Sequence, residues 1–165
     1  NVNGTEQIKG VLSNPIFFVK VLKNTIDVYG ESYLFGMIAS PLGWLDIVVS
    51  PLITIAFLVL VIFSSMIENN EVAFSRKQKI WNFLIVVGTA LLIIGAMYIS
   101  WTGVGAEVVE GVQGRYFIPL LPLLLLCVSM KQNYIKWNHV HLWLQIVLVL
   151  LNGITLNTIF QHFLV

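Results

Sequence analysis

Charge is what this sequence has least of. Only 10% of its 165 residues are Asp, Glu, Lys or Arg, 58% are hydrophobic, and the mean hydropathy is +0.88; a soluble domain carries about a quarter charged residues. Such a chain belongs in lipid. Nine Lys and Arg against eight Asp and Glu leave a net charge of +1, so no global field recruits nucleic acid and any electrostatic recognition is local. A single cysteine, Cys127, excludes an internal disulfide, and inside an apolar run it reads as a small inert hydrophobe. No basic segment leading into a short apolar core and a small-residue cleavage site opens the chain, which starts at Asn1. The expectation is a piece of a longer polypeptide. Also missing are a phosphate-binding Gly-rich loop, an H-E-x-x-H pattern and a nucleophile elbow. No Asp, Glu, Lys or Arg sits deep in an apolar stretch, which argues against a proton-coupled pump or an ion channel.

What the chain has is long apolar sequence. Crossing a hydrocarbon core of about 30 Å takes roughly 20 apolar residues in a helix, and the stretches 47–67, 81–101, 116–130 and 140–165 are candidates. The expected fold class is all-α: a polytopic helical membrane protein with about four transmembrane helices. Ser50 followed by Pro51 marks a helix start in the first. Trp81 and Trp101 bound the second, one indole at each interface. The third is short, and the fourth is long enough to tilt.

The connections differ in sign. Arg76, Lys77 and Lys79 lie in the 68–80 loop, and Lys131 and Lys136 in the 131–139 loop; excess cations mark cytoplasmic loops. The 102–115 loop sets Glu107 and Glu110 against Arg115, and residues 1–46 scatter Lys9, Lys20 and Lys23 among Glu6, Asp27, Glu31 and Asp46. These two regions then face outward, which puts both ends of the chain outside the plasma membrane.

Two regions follow: an outer, amphipathic and interfacial segment over 1–46, and a four-helix transmembrane region over 47–165. Asn14-Pro15 is a helix start, and the mixed pattern Ile16, Phe17, Val19, Lys20, Leu22, Lys23, Ile26, Asp27 suits a helix lying on a membrane surface. Residues 33–46 are apolar but interrupted by Gly36, Pro41 and Gly43, and read as an interfacial or re-entrant piece. Asn3-Gly4-Thr5 matches the N-glycosylation acceptor pattern, a three-residue signal of low specificity.

Arg115 is the residue that asks for an explanation, a full charge at the lip of an apolar run holding Pro119 and Pro122. At the outer boundary a guanidinium can hold a lipid phosphate or a diphosphate through two hydrogen bonds, or snorkel to headgroups and pair with Glu107 or Glu110, eight and five residues upstream. The prolines remove backbone donors and loosen the first turns of that span, a shape that suits a cavity or mere packing. Glu107, Glu110 and Asp46 are candidate bases or ligands of a divalent cation, the one cofactor these groups would accommodate, although carboxylates in wet loops are commonly just solvated. No metal-site spacing stands out. His139, His141 and His162 lack a carboxylate or cysteine at ligand spacing and read as interface anchors. Gln145 with Asn152, and Asn157 with Gln161, read as hydrogen-bonding glue between helices; Gly88 and Gly95 read as a close-packed stripe.

The stretch WTGVGAEVVEGVQGRYFIPLLPLLLL resembles the C-terminal part of a family of bacterial multi-pass membrane proteins, domain of unknown function 2142, in which V-x-G-(V/I)-Q-G-R-Y-F-x-P-L-x-P opens a late span. Residues 14–46, ending in Gly43, Trp44, Leu45 and Asp46, resemble that family's outer segment. Gln113, Gly114, Arg115, Tyr116, Phe117, Pro119 and Pro122 carry the motif. The resemblance implies a relation to membrane glycosyltransferases of the GT-C type, which take a sugar from a polyprenyl-phosphate carrier on the outer face in cell-envelope glycan assembly. Under that reading Arg115 and Gln113 hold the carrier phosphate, Tyr116 and Trp44 touch sugar or prenyl groups, and Glu107, Glu110 or Asp46 orients the glycan acceptor or a divalent cation. The catalytic acid would lie in an earlier outer loop, beyond this chain, with the remaining transmembrane helices. The alternative is a non-enzymatic scaffold, or a lipid or polysaccharide export component, in which the same residues only fix helix depth.

Overall fold

The computed structural model describes residues 2–67, 74–128 and 139–164. Lys131 and Lys136, expected in a cytoplasmic loop, lie outside these residues, as do Met130 and Val165 at the ends of two expected spans.

Asn3 opens α1, Gly4–Ser13, by accepting the Glu6 N–H on its side-chain oxygen at 3.3 Å. Asn14 does the same for α2, Pro15–Ile38: its side chain accepts the Phe17 N–H at 3.0 Å, and Pro15, with no N–H to satisfy, takes the first position. The expected helix start is met. The expected break within 33–38 is not, because α2 runs unbroken through Gly30 and Gly36. It stops at Ala39, where Pro41 disfavours helical backbone at Ser40. Residues 41–47 then form a tight turn closed by the Leu42 N–H on the Ile47 carbonyl at 2.9 Å.

The first apolar stretch becomes helical at Pro51, as Ser50-Pro51 leads one to expect, with 47–50 ahead of the helix. The Ser50 carbonyl takes the N–H groups of Ile53 and Thr54 at 2.9 and 3.1 Å, starting α3, Pro51–Ile67. The second becomes α4, Arg76–Ser100, which starts ahead of Trp81 because Ser75 and Gln78 form a reciprocal capping box. Arg76, Lys77 and Lys79 therefore sit in the first turn of the helix, not in a loop. The third begins as a 3-10 helix, Gly114–Leu120, containing Pro119, and turns into α5, Leu121–Val128. Here the prolines do loosen the first turns, as their missing donors require. The fourth is α6, Val140–Leu164.

Side-chain bonds define two ends of this bundle. At one, Cys127 Sγ donates to the Lys79 carbonyl at 3.4 Å and Ser65 Oγ to the Leu125 carbonyl at 3.3 Å; Arg76 and Lys77 lie here, and it is the cationic end. At the other, Asp46 meets His162, and Gln7 meets the end of α4. Glu107, Glu110 and Arg115 follow α4 there, at the acidic end. The core joins α2, α4, the 3-10 helix and the intervening loop through Val21, Val86, Ile94, Tyr98, Val109 and Phe117.

Among the described residues, α4 and α6 are the two helices long and apolar enough to cross a membrane; Pro51–Ile67 and Gly114–Val128 are shorter apolar helices. Trp143, Val149, Leu150, Leu156 and Phe160 of α6 are exposed. Surface of that kind is costly in water and ordinary in hydrocarbon.

Two readings of the helix surfaces change. Gly88 and Gly95 have nothing within 4 Å of where a Cβ would stand, so they line open surface and not a close-packed stripe. Asn152 donates to the Leu148 carbonyl at 2.8 Å within its own helix, and Gln145, Asn157 and Gln161 are exposed. α6 packs chiefly on α3, and none of these amides bonds to it among the described residues.

Candidate functional site

The acidic end is organised by one close approach. Gly114 sits against α2 so tightly that a Cβ there would lie 2.4 Å from the Tyr33 carbonyl oxygen and 2.7 Å from Gly36 Cα. Only glycine lets the 3-10 helix begin at that spot. Tyr33 and Phe117 stack beside the contact, ring centroids 5.6 Å apart. Burial, and then Tyr29 beside it, push the Tyr33 phenol up to about 12, so it packs and does not exchange protons near neutrality.

The 102–113 loop is held by four side chains. Gln7, only 3% exposed, donates to the carbonyls of Tyr98 and Gly103 at 3.2 and 3.1 Å and accepts the Gly105 N–H at 3.3 Å. Thr25 accepts the Val109 N–H at 2.9 Å, Thr102 accepts the Glu110 N–H at 3.0 Å, and Asn24 donates to the Glu107 carbonyl at 3.2 Å. Buried backbone groups that would otherwise be orphaned are paired. Such a loop presents its residues from a fixed base.

Arg115 leaves that base at the second residue of the 3-10 helix. Its Nε donates to Gln113 Oε1 at 2.5 Å and one Nη to the Gly43 carbonyl at 3.4 Å. A guanidinium has five N–H donors, so a fork remains to face a ligand. Arg115 borders a recess of about 100 Å³ with Ser32, Gly36, Pro41, Gln113 and Gly114. A tetrahedral oxyanion fits a recess of that size. Across the Gly36–Gly114 contact lies an apolar groove of about 230 Å³ lined by Tyr33, Met37, Val86, Ala90 and Phe117.

Asp46 lies in the turn that carries Gly43, and both its oxygens are engaged. Oδ1 accepts the Trp44 N–H at 3.0 Å, and Oδ2 lies 3.3 Å from His162 Nε2. Its own backbone N–H first, then that of Trp44 and the neighbouring imidazole, hold the carboxyl below the usual range against partial desolvation. The turn needs left-handed backbone at Gly43, φ +63°, and at Leu45, φ +73°. Trp44 stands at its tip, 95% exposed.

Of the sequence-derived candidates, Arg115, Gln113 and the turn holding Trp44 and Asp46 come together. Glu107 and Glu110 do not join them. Residues 102–113 are not helical, so the glutamates are not a helical turn from Arg115; both are exposed, and neither pairs with it among the described residues. Tyr116 is exposed on the 3-10 helix outside the recess lining. No three metal-ligating side chains converge among the described residues. Sequence reading misses His162 as a partner of Asp46, and also Gln7, Thr25 and Gly36. Ligand spacing cannot reveal pairs so far apart in the chain, and Gln7 after Glu6 and Thr25 after Asn24 give no local signal of burial.

A family model described as Predicted membrane protein (DUF2142) matches residues 1–124. The match takes in every residue around the recess and stops short of α6. No curated protein and no solved structure matches the chain.

Proposed function

The chain belongs to the DUF2142 family of predicted membrane proteins, and on that premise we propose that Arg115 binds the phosphate of a membrane lipid at the extracytoplasmic end of a four-span bundle. The single observation carrying this is the guanidinium itself, oriented by Gln113 and the Gly43 carbonyl at the mouth of a recess of oxyanion size.

Four crossings fit the dimensions. The 17 residues of α3 reach about 25 Å at about 1.5 Å each. The 3-10 helix gains length, since its 7 residues rise about 2.0 Å each, and with the 8 of α5 the pair reaches about 26 Å. Either lies within a few ångströms of a core of about 30 Å, a mismatch that bilayers accommodate. The cationic end is then cytoplasmic.

The finer reading is a GT-C-like glycosyltransferase in cell-envelope assembly, with a polyprenyl-phosphate sugar as donor and a glycan acceptor. Arg115 and Gln113 hold the donor phosphate, and Trp44 and Tyr116 reach sugar or prenyl groups. The non-enzymatic reading, a scaffold or a lipid or polysaccharide export component, is favoured by one observation: Asp46 is committed on both oxygens and no described carboxylate lines the recess. In the complete protein in vesicles, Arg115→Ala is expected to weaken binding of a phosphate-headed lipid at least tenfold, in line with about 1.5–3 kcal/mol for hydrogen bonds to a charged group. Unchanged binding sinks the phosphate role. Glycan assembly lost together with binding selects the transferase, and glycan assembly retained when binding is lost selects the non-enzymatic reading.

A further inference from the structure

We infer that His162 is a positioning residue for the anion recess, acting through Asp46 and the turn that presents the Gly43 carbonyl to Arg115. The inference rests on the reading of Arg115 as an anion ligand.

The links are short and continuous. His162 Nε2 lies 3.3 Å from Asp46 Oδ2; Asp46 Oδ1 accepts the Trp44 N–H at 3.0 Å; the Gly43 carbonyl accepts Arg115 Nη1 at 3.4 Å. A Cβ at Gly43 would fall 2.7 Å from Asp46 Oδ1. The carboxylate therefore packs directly against the residue whose carbonyl orients the guanidinium. α6 packs chiefly on α3, and its last turn reaches the turn through His162. That makes α6, outside the stretch matched by the family model, a contributor to the recess.

Histidine is the side chain whose charge changes between about pH 5 and 8. Below that change, His162 and Asp46 form an ion pair, helped by the carbonyl ends of the last turn of α6. Above it they keep at most a neutral hydrogen bond. Asp46 stays ionised across that range, since its pKa is lowered. Few other charges intervene. α3 carries no titratable side chain, and the other histidine of α6, His141, lies at its opposite end. From the 3-10 helix Arg115 faces the turn, and the exposed α2 acids are Asp27, paired with Lys23, and Glu31. The pair is itself about half exposed, 40% and 49%, so its effect is modest. Raising the pH loosens the turn and weakens anion binding.

The test uses the complete protein in nanodiscs of uncharged lipid, with sulfate as the probe because its charge is constant across the window. The protection of the Trp44 amide from hydrogen exchange, set by its bond to Asp46 Oδ1, is followed with pH after correction for the intrinsic exchange rate. Protection should fall with pH and sulfate affinity should fall two- to five-fold. His162→Gln, which keeps a donor and cannot ionise, should abolish both steps, and His162→Lys should hold the low-pH state throughout. A step that persists in His162→Gln overturns the inference. Sulfate affinity unchanged in Arg115→Ala removes the anion site itself, whatever the Trp44 amide reports.

Discussion

Gly36 on α2 and Gly114 at the start of the 3-10 helix meet backbone to backbone, the closest approach that brings the acidic end together. An added methyl group at Gly114 collides with the Tyr33 carbonyl and with Gly36 Cα, neither of which can rotate away.

Gly114→Ala should therefore cost about 1–3 kcal/mol, the usual range for overpacking, and should lower the midpoint of thermal unfolding in detergent. Gly36→Ala, whose Cβ would meet Gly114 Cα at 3.1 Å, should cost less. Equal losses would mean that the contact is not what limits the approach.

Thr25→Val removes the acceptor for the Val109 N–H while keeping the side chain's shape. A buried unpaired donor costs about 1–3 kcal/mol. The Val109 amide should exchange hydrogen faster, with α3 and α6 unaffected; a global change in exchange would contradict the local role of this bond.

Gln113→Ala leaves Arg115 charged but unoriented. Phosphate-lipid affinity should drop less than in Arg115→Ala, because the Gly43 carbonyl still holds one Nη, whereas Gln113→Glu, whose carboxylate pairs with the guanidinium and repels an anion, should lower it further. An Arg115→Ala loss without any Gln113→Ala loss would make the 2.5 Å bond incidental.

The orientation is tested by cysteine labelling after Cys127→Ser. A membrane-impermeant thiol reagent added outside intact cells should reach Glu107→Cys and miss Lys77→Cys. The reverse pattern would turn the bundle over and put the proposed phosphate site on the cytoplasmic face.

Local rules read the chain well wherever the cause of a structure is local. Asn14-Pro15 and Ser50-Pro51 mark real helix starts, and Pro119 produces the 3-10 turn, because caps and missing donors act within a few residues. Gly36 resembles a breaker because its helical penalty is visible in sequence, whereas the backbone packed against it is not. Gly88 and Gly95 mislead in the other direction: small residues permit close packing without requiring it. The pairs that build the site, Thr25 with Val109 and Asp46 with His162, join segments that no periodicity links. Arg115 is legible as an anomaly, and its two orienting partners, Gln113 and Gly43, come from the same two motifs that carry the resemblance.

The distance along the chain between Thr25 and Val109, 84 residues, sets an order of events during synthesis. The buried side of α2 can settle on α4, through Phe18 and Tyr98, before the ribosome has passed the 3-10 helix, and only its partners at Val109 and Phe117 come later. An insertion machinery that delays α4 would therefore leave Val21 and Phe18 without either set of partners from these segments.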